Sequence, residues 1–426
     1  MNRWLRGAVP LAVVVLAGSA CTSGGTSTND NDLNGKTVTV IGTWGGDEQA
    51  AFLKMVAPWE QKTGAKVKYT GTRDINTVLT TGVASGVLPD LAGLPGPGQM
   101  ADYAKAGKLV ALDDVLDVQT YQSETAPALV DLGKSDGKVY GVFIKAAVKG
   151  LIWYNSKVHD YSANVPKTWD DLQSQASANK GPAKAQWCLG IESGAASGWP
   201  ATDWIEDLVL RTAGPDTYTK WYQGKLKWSD PAIKKAFQMY ADVVANSYGG
   251  AATAVATNFG NAGDPLFANP PGCQFLHQAS FITAFSQFKT HQAGTDYNFF
   301  PFPDIDPKYA GAVEGAGDLF GMFHDTPAAR SLMKYLVSAD AQNIWVKLGG
   351  ALSANKNATS YPDDISKRSA AVLANAKSFV FDASDSMPTA MNDAFWKAAV
   401  ALTNKSKTVD QVLADLDAAQ KDAYSS

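Results

Sequence analysis

KTVTVIGTWGGDE at residues 36–48, AKVKYTGTRD at 65–74 and LPDLAGLPGPG at 88–98 decide the fold. Residues 36–43 alternate and are β-branched, which predicts a strand, and a Gly-containing loop follows at 44–48. Over 48–62, Ala51, Phe52, Met55, Val56 and Trp59 recur at helical spacing, and Thr63-Gly64 supplies the stop. Residues 65–70 alternate again, 71–74 form a loop, and Asp74 is placed to N-cap a helix over 75–85. A short buried strand at 88–92 leads into LPGPG at 94–98, read as a rigid turn that admits no helix, with a helix over 99–107 beyond it. Three successive strand–loop–helix units imply a parallel sheet with helices on its faces. Ligands bind such sheets at the carboxyl ends of the strands, so the loops at 43–48, 71–74 and 93–99 are expected to line one wall of a cleft.

Beyond this block, residues 138–156 are β-rich, and 167–178, 201–213 and 230–246 read as helices, the last with Pro231 in its first turn. Residues 297–303 are extended, and 327–348 and 390–422 are long amphipathic helical stretches, so the C-terminal third is mostly helical. No repeat indicates a solenoid or propeller.

The chain has 426 residues, 45% hydrophobic and 18% charged, enough apolar material for a large core spread over more than one domain. Its 37 Lys+Arg against 41 Asp+Glu give a net charge of −4, which argues against a duplex nucleic-acid partner. The four His, at 159, 277, 291 and 324, never fall within one helical turn, so the common His-based metal motifs are missing.

Arg3 and Arg6, the apolar stretch 7–20 and Cys21 form the order basic, apolar, small that marks a secretory signal, too short to span a bilayer comfortably. Gly18-Ser19-Ala20-Cys21 resembles the lipobox of bacterial lipoproteins, with Gly18 where that family prefers Leu. The resemblance implies cleavage after residue 20, lipid on Cys21 and a flexible tether over 21–35, placing the protein on the outer face of the cell membrane and in contact with it only through the anchor. Two cysteines remain, Cys188 and Cys273; in an exported chain they suggest a disulfide, with two buried thiols as the alternative.

MVAPWEQKTGAKVKY at 55–69 and GVASGVLPDLAGLPGPGQMADYAKAGKLVAL at 82–112 resemble extracytoplasmic solute-binding proteins of carbohydrate ABC importers, the maltose-binding-protein-like class. The run Tyr140-Gly141 to Leu151-Ile152-Trp153-Tyr154-Asn155 is similar to that family's segments, as are Pro166 with Thr168-Trp169-Asp170-Asp171-Leu172, and Thr326-Pro327 with Leu332-Met333-Lys334-Tyr335-Leu336. LPGPG and GWPATDWIED at 198–207 are most similar to its α-glucoside binders. The resemblance implies an α/β, two-lobed type II periplasmic-binding-protein fold with parallel-rich sheets flanked by helices. It divides the chain into an N-terminal lobe (36–146 and 313–352), a C-terminal lobe (149–300 and 356–426), and hinge segments near 145–149, 300–313 and 350–356. It further implies a monomer that closes on a sugar and presents it to an importer's permease, with no cofactor.

A sugar has hydroxyls around its rim and C–H faces, so its site needs planar aromatics and bidentate polar groups. Trp44 and Glu48 follow the first strand, Arg73 and Asp74 the second, and Gln99 lies beyond the third, whose loop carries no aromatic or charge. Trp199, Asp203 and Trp204 are candidates from the second lobe, although core packing is the commoner fate of Trp. Phe281 and Trp396 sit where the family places ligand contacts, Asp318 precedes the helix from 327 within reach of the cleft, and Lys145 lies at a crossing segment.

The first rival function is a secreted glycoside hydrolase, which needs two carboxylates at fixed separation; Asp203/Glu206 is such a pair, but no nucleophile elbow, HExxH or P-loop accompanies it. The second is a binder of a polyamine, a metal ion or an organic acid. Tryptophans near the expected cleft loops favour a neutral, flat ligand instead.

Overall fold

The computed structural model describes residues 33–425, so the signal, Cys21 and most of the tether lie outside the described residues. Twelve strands are formed among the described residues: β1 (Thr37–Gly42), β2 (Lys66–Gly71), β3 (Leu91–Leu94), β4 (Lys134–Ser135), β5 (Lys138–Val139), β6 (Gly141–Val148), β7 (Leu151–Asn155), β8 (Ala185–Cys188), β9 (Cys273–Gln278), β10 (Tyr297–Pro301), β11 (Ala312–Met322) and β12 (Ser378–Phe381). The three βα units form as expected: β1 pairs in parallel with β2 and β3, and helices Gly46–Thr63 and Ile75–Ser85 follow β1 and β2. Gly64 and Gly86 end those helices in the left-handed conformation that glycine adopts without strain.

The third unit departs from expectation. The helix after β3 starts at Pro97, inside LPGPG, because proline at the first helical position gives up only an N–H that has no intrahelical partner anyway. The turn is tight for a different reason. A Cβ on Gly96 or Gly98 would collide with the backbone of Asp385 or Met387, so glycine lets two chain segments meet there.

The first sheet is not wholly parallel. Its order is β12-β11-β3-β1-β2, with β6 also paired to β11. The eleven-residue β11 runs antiparallel to both β3 and β6 and parallel to β12. It contains Gly315-Ala316-Gly317-Asp318, and its small residues let β6 and the aromatic side chains of Phe143 and Phe379 pack close. The second sheet, β10-β7-β9-β8, is mixed, with only β8 and β9 parallel. β6 and β7 are separated by Lys149 and Gly150, so the chain passes from one sheet to the other within two residues.

Stretch 201–213 belongs to a longer helix, Trp199–Tyr222, kinked at Gly214-Pro215. Stretch 327–348 is two helices, Pro327–Leu336 and Ala339–Leu348, and stretch 390–422 is also two, Thr389–Thr403 and Val409–Ala423. The terminal pair packs with helix Pro231–Ala245 around Trp221, Trp228, Phe237 and Phe395. Cys188 and Cys273 are buried and joined by a disulfide, with Cα atoms 5.4 Å apart.

Candidate functional site

A cavity of about 150 Å³ lies between the two sheets. From the first sheet it receives Thr43, Trp44 and Glu48 after β1, Arg73, Ile75 and Asn76 after β2, and Pro95 after β3. From the other side come Ala196 and Trp199 after β8, Phe259, Phe281 after β9, and Trp396. Asp382, Ser384 and Asp385 follow β12, and Lys145, Ala147, Ala316, Gly317 and Asp318 belong to β6 and β11. Most of the wall is thus built from the carboxyl ends of strands, where backbone and helix N-termini leave room for a ligand.

Six of the expected residues, Trp44, Glu48, Arg73, Trp199, Phe281 and Asp318, gather around a seventh, Lys145, which is 3% exposed. Its ammonium donates to Glu48 Oε1 at 2.9 Å and lies 3.5 Å from Asp318 Oδ2. Glu48 Oε2 is 3.5 Å from Arg73 Nη2, and Trp44 Nε1 donates to Asp318 Oδ1 at 2.9 Å. The Lys145 ammonium is 5.6 Å from the Phe281 ring centre and 5.7 Å from that of Trp44. Burial works against its charge, but Asp318 and Glu48 outweigh burial and hold its pKa above the ordinary lysine value. Trp199 faces this group, edge-on to Phe259 at 4.9 Å and 6.0 Å from Phe281, and the Arg73 guanidinium lies 5.0 Å from the centre of the Phe259 ring.

Trp396 also lines the cavity, whereas Trp204, Asp74, Gln99 and Asp203 are placed differently and Trp44 belongs largely to the core. Trp204 is fully buried among Trp187, His277 and Phe302 and contributes to the core, because its helix turns that face toward β9. Trp44 borders the cavity but is only 2% exposed, stacked among Phe52, Tyr69, Phe320 and Trp345. Asp74 sits at the N-cap position without a side-chain cap bond, is exposed, and stays outside the cavity lining. Gln99 is one layer back, donating to Asn76 Oδ1 at 2.8 Å, and so positions a lining residue. Asp203 is also behind the wall: both its carboxylate oxygens accept from Lys149 Nζ at 2.7 Å.

Lys149, absent from the expected set, anchors a second charged group. Its ammonium also reaches Asp382 Oδ2 at 2.9 Å, and Glu206, Asp207, Glu314 and Asp385 belong to the same acidic neighbourhood. One oxygen each of Asp203, Glu314 and Asp382 lie within 4.8 Å of one another, a spacing that suits a cation, and here the ammonium bonded to two of the three supplies that charge. Burial pushes Asp203 up to about 7 against the pull of Lys149, with Asp382 adding to the rise. Burial, then neighbouring carboxylates, raise Glu206 and Glu314 well above the usual range. Asp382 is the exception: burial would raise it, but Lys149 and hydrogen bonds from Asp385 N and Ser384 Oγ hold it low. Glu206 accepts from the backbone N–H of Ala383 at 2.7 Å and Ser384 at 3.2 Å, fixing the segment after β12. The Asp203/Glu206 pair therefore has an internal, structural use.

Comparison with known proteins agrees with this architecture. The family model of bacterial extracellular solute-binding proteins matches residues 44–343, and the chain belongs to that family. The osmoprotective compounds-binding protein of Synechocystis is 39% identical over 382 residues, covering 87% of this chain and 89% of that protein. The alpha-glucosides-binding periplasmic protein of Rhizobium meliloti is 34% identical over 395 residues, covering 89% and 86%. A solved chitin oligosaccharide binding protein superposes with a TM-score of 0.78 at 21% identity, covering 92% of this chain and 99% of that one. The fold is that of the type II periplasmic binding proteins. Among the described residues no helix is long and apolar enough to cross a membrane.

Proposed function

We propose that the protein binds a neutral sugar, an α-glucoside or a small oligosaccharide, in the cavity between its two sheets, and delivers it unaltered to an ABC importer permease. The observation that carries this reading is the character of the wall. Aromatic faces of Trp199, Phe281 and Trp396 stand opposite Lys145, Glu48, Arg73 and Asp318, whose charges are already compensated within the protein. Such a wall offers hydrogen bonds and stacking surface with little net field, which suits an uncharged polyol better than an organic acid. The name of the α-glucosides-binding relative supports the same class.

The reading includes two lobes, 36–146 with 313–352 and 149–300 with 356–426, hinged at 145–149, 300–313 and 350–356. Two observations support mobility about that axis. The crossing at Lys149-Gly150 is brief, and Asn76 Nδ2–Asp393 Oδ1 at 3.0 Å and the Asp47–Lys289 ion pair are contacts that opening would break. The reading also includes a monomer tethered through lipid on Cys21, which would hold it near the permease. A thermal-shift panel of sugars, polyamines, divalent metals and organic acids tests the ligand class. A rise with neutral sugars alone is expected, and a rise only with spermidine, a metal or a carboxylate defeats the reading.

A further inference from the structure

We propose that Asp385 is a specificity-determining residue of this cavity, its carboxylate accepting a pair of hydrogen bonds from adjacent hydroxyls of the bound ligand. The inference rests on the sugar-binding reading above and deepens it. Six other charged residues line the cavity, and each is committed to a protein partner. Glu48 holds Lys145 and Arg73, Asp318 holds Trp44 and Lys145, and Asp382 holds Lys149. Asp385 also lines the cavity, yet its carboxylate has no hydrogen-bond or ion-pair partner among the described residues.

Its backbone, by contrast, is held on every side. Its N–H donates to Asp382 Oδ1 at 3.0 Å, the two preceding N–H groups are held by Glu206, and Gly96 and Gly98 admit the segment against helix Pro97–Lys105. A rigid frame that presents a bare carboxylate to a cavity is preorganised for a ligand that brings donors. Its side chain is half-buried, so the carboxylate stays open to an incoming ligand. A carboxylate offers two acceptor oxygens, which match two vicinal hydroxyls, and a second acid nearby repels any anionic ligand.

Isothermal titration with maltose, trehalose and sucrose, and with spermidine and glycine betaine as cationic and zwitterionic probes, tests this in wild type, Asp385→Ala and Asp385→Asn. The expected result is that wild type binds at least one of the sugars, Asp385→Ala weakens it about 100-fold and Asp385→Asn about 10-fold. The melting temperature of each unliganded variant is expected to match or exceed that of wild type. Equal sugar affinity in wild type and both variants overturns the role of Asp385 while leaving the sugar-binding reading intact. Lowered melting temperatures in both variants would make Asp385 a structural residue and likewise overturn the proposal. Wild type that binds none of the sugars defeats the sugar reading and this inference with it. Wild type that binds spermidine or glycine betaine and loses it in Asp385→Asn shows a cation partner instead, and also overturns the proposal.

Discussion

The Lys149 ammonium donates to both carboxylate oxygens of Asp203 at 2.7 Å, and lysine and aspartate are 6% and 2% exposed. Breaking one side of a buried pair strands the other charge away from water. Lys149→Met is therefore expected to destabilise the protein by about 3–5 kcal/mol. Lys149→Met combined with Asp203→Asn should recover part of that loss, because one of the two stranded carboxylates, Asp203 and Asp382, is gone. Urea unfolding of the three variants measures the coupling, and additive losses would show that the two residues act independently.

Acidic groups around Lys149 make stability fall as pH rises. Burial pushes Asp203 up to about 7, and Glu206 and Glu314 are raised well above their ordinary values, chiefly by burial. Above about pH 4 the unfolded chain has released these protons while the folded chain still keeps them, so the unfolded state binds fewer and unfolding becomes easier as pH rises toward the folded values. Lys145 and Lys149 are raised as well, but their stabilisation persists below the ordinary lysine pKa and is lost only in strong alkali. Asp382 is lowered, and its contribution is lost only as pH falls below the ordinary aspartate range. The melting temperature is expected to be higher at pH 5.5 than at pH 8. Each pH unit over which one such group stays protonated only in the fold removes about 1.4 kcal/mol. Glu314→Gln should flatten the profile, and an unchanged slope would remove Glu314 from the cause.

The βα units were legible because their signals are local: alternation in KTVTVIGT, helical spacing from Ala51 to Trp59, and Gly64 as a stop all act within a few residues. β11 was not, because AVEGAGDLFGM has neither alternation nor β-branched density, and it is a strand only through its pairing with β3, β6 and β12. Trp44, Glu48 and Arg73 could be assigned to one cleft from strand-end position alone. Trp204 could not be told from Trp199, since both stand in GWPATDW and only the direction of the helix separates the core face from the cavity face. Lys149 and Asp382 were invisible for the same reason that they matter: they meet across 233 positions, which no spacing rule spans.

The two tryptophans of that helix give opposite expected phenotypes. Trp199 is half-buried, lines the cavity and has the Lys149 ammonium 5.1 Å from its ring centre. Trp199→Ala is expected to weaken sugar binding about tenfold, the worth of one stacking face, with a modest change in stability. Trp204→Ala opens a hole between Trp187 and His277 and is expected to cost about 3–5 kcal/mol in urea unfolding. Trp204→Phe should be milder, since the indole N–H has no partner to lose. Titration calorimetry beside urea unfolding separates the two, and a Trp204→Ala protein of normal stability would refute its placement in the core.

The disulfide between Cys188 and Cys273 ties the end of β8 to the start of β9 across 85 residues of chain. That loop holds helix Trp199–Tyr222 and therefore both Trp199 and the Asp203 partner of Lys149. Closing a loop of this length removes unfolded-state entropy worth roughly 4 kcal/mol in the chain-entropy model. Both sulfurs are buried, so a mild reductant should leave the folded protein intact and act only once denaturant opens it. Cys188→Ala/Cys273→Ala is expected to lose about that much unfolding free energy and so to unfold at a lower urea midpoint, and wild type in dithiothreitol should approach the same midpoint at equilibrium. Ligand affinity measured well below the midpoint should change little, because neither cysteine lines the cavity. A midpoint unmoved by the double substitution would mean that the link restrains nothing the unfolded chain is free to explore.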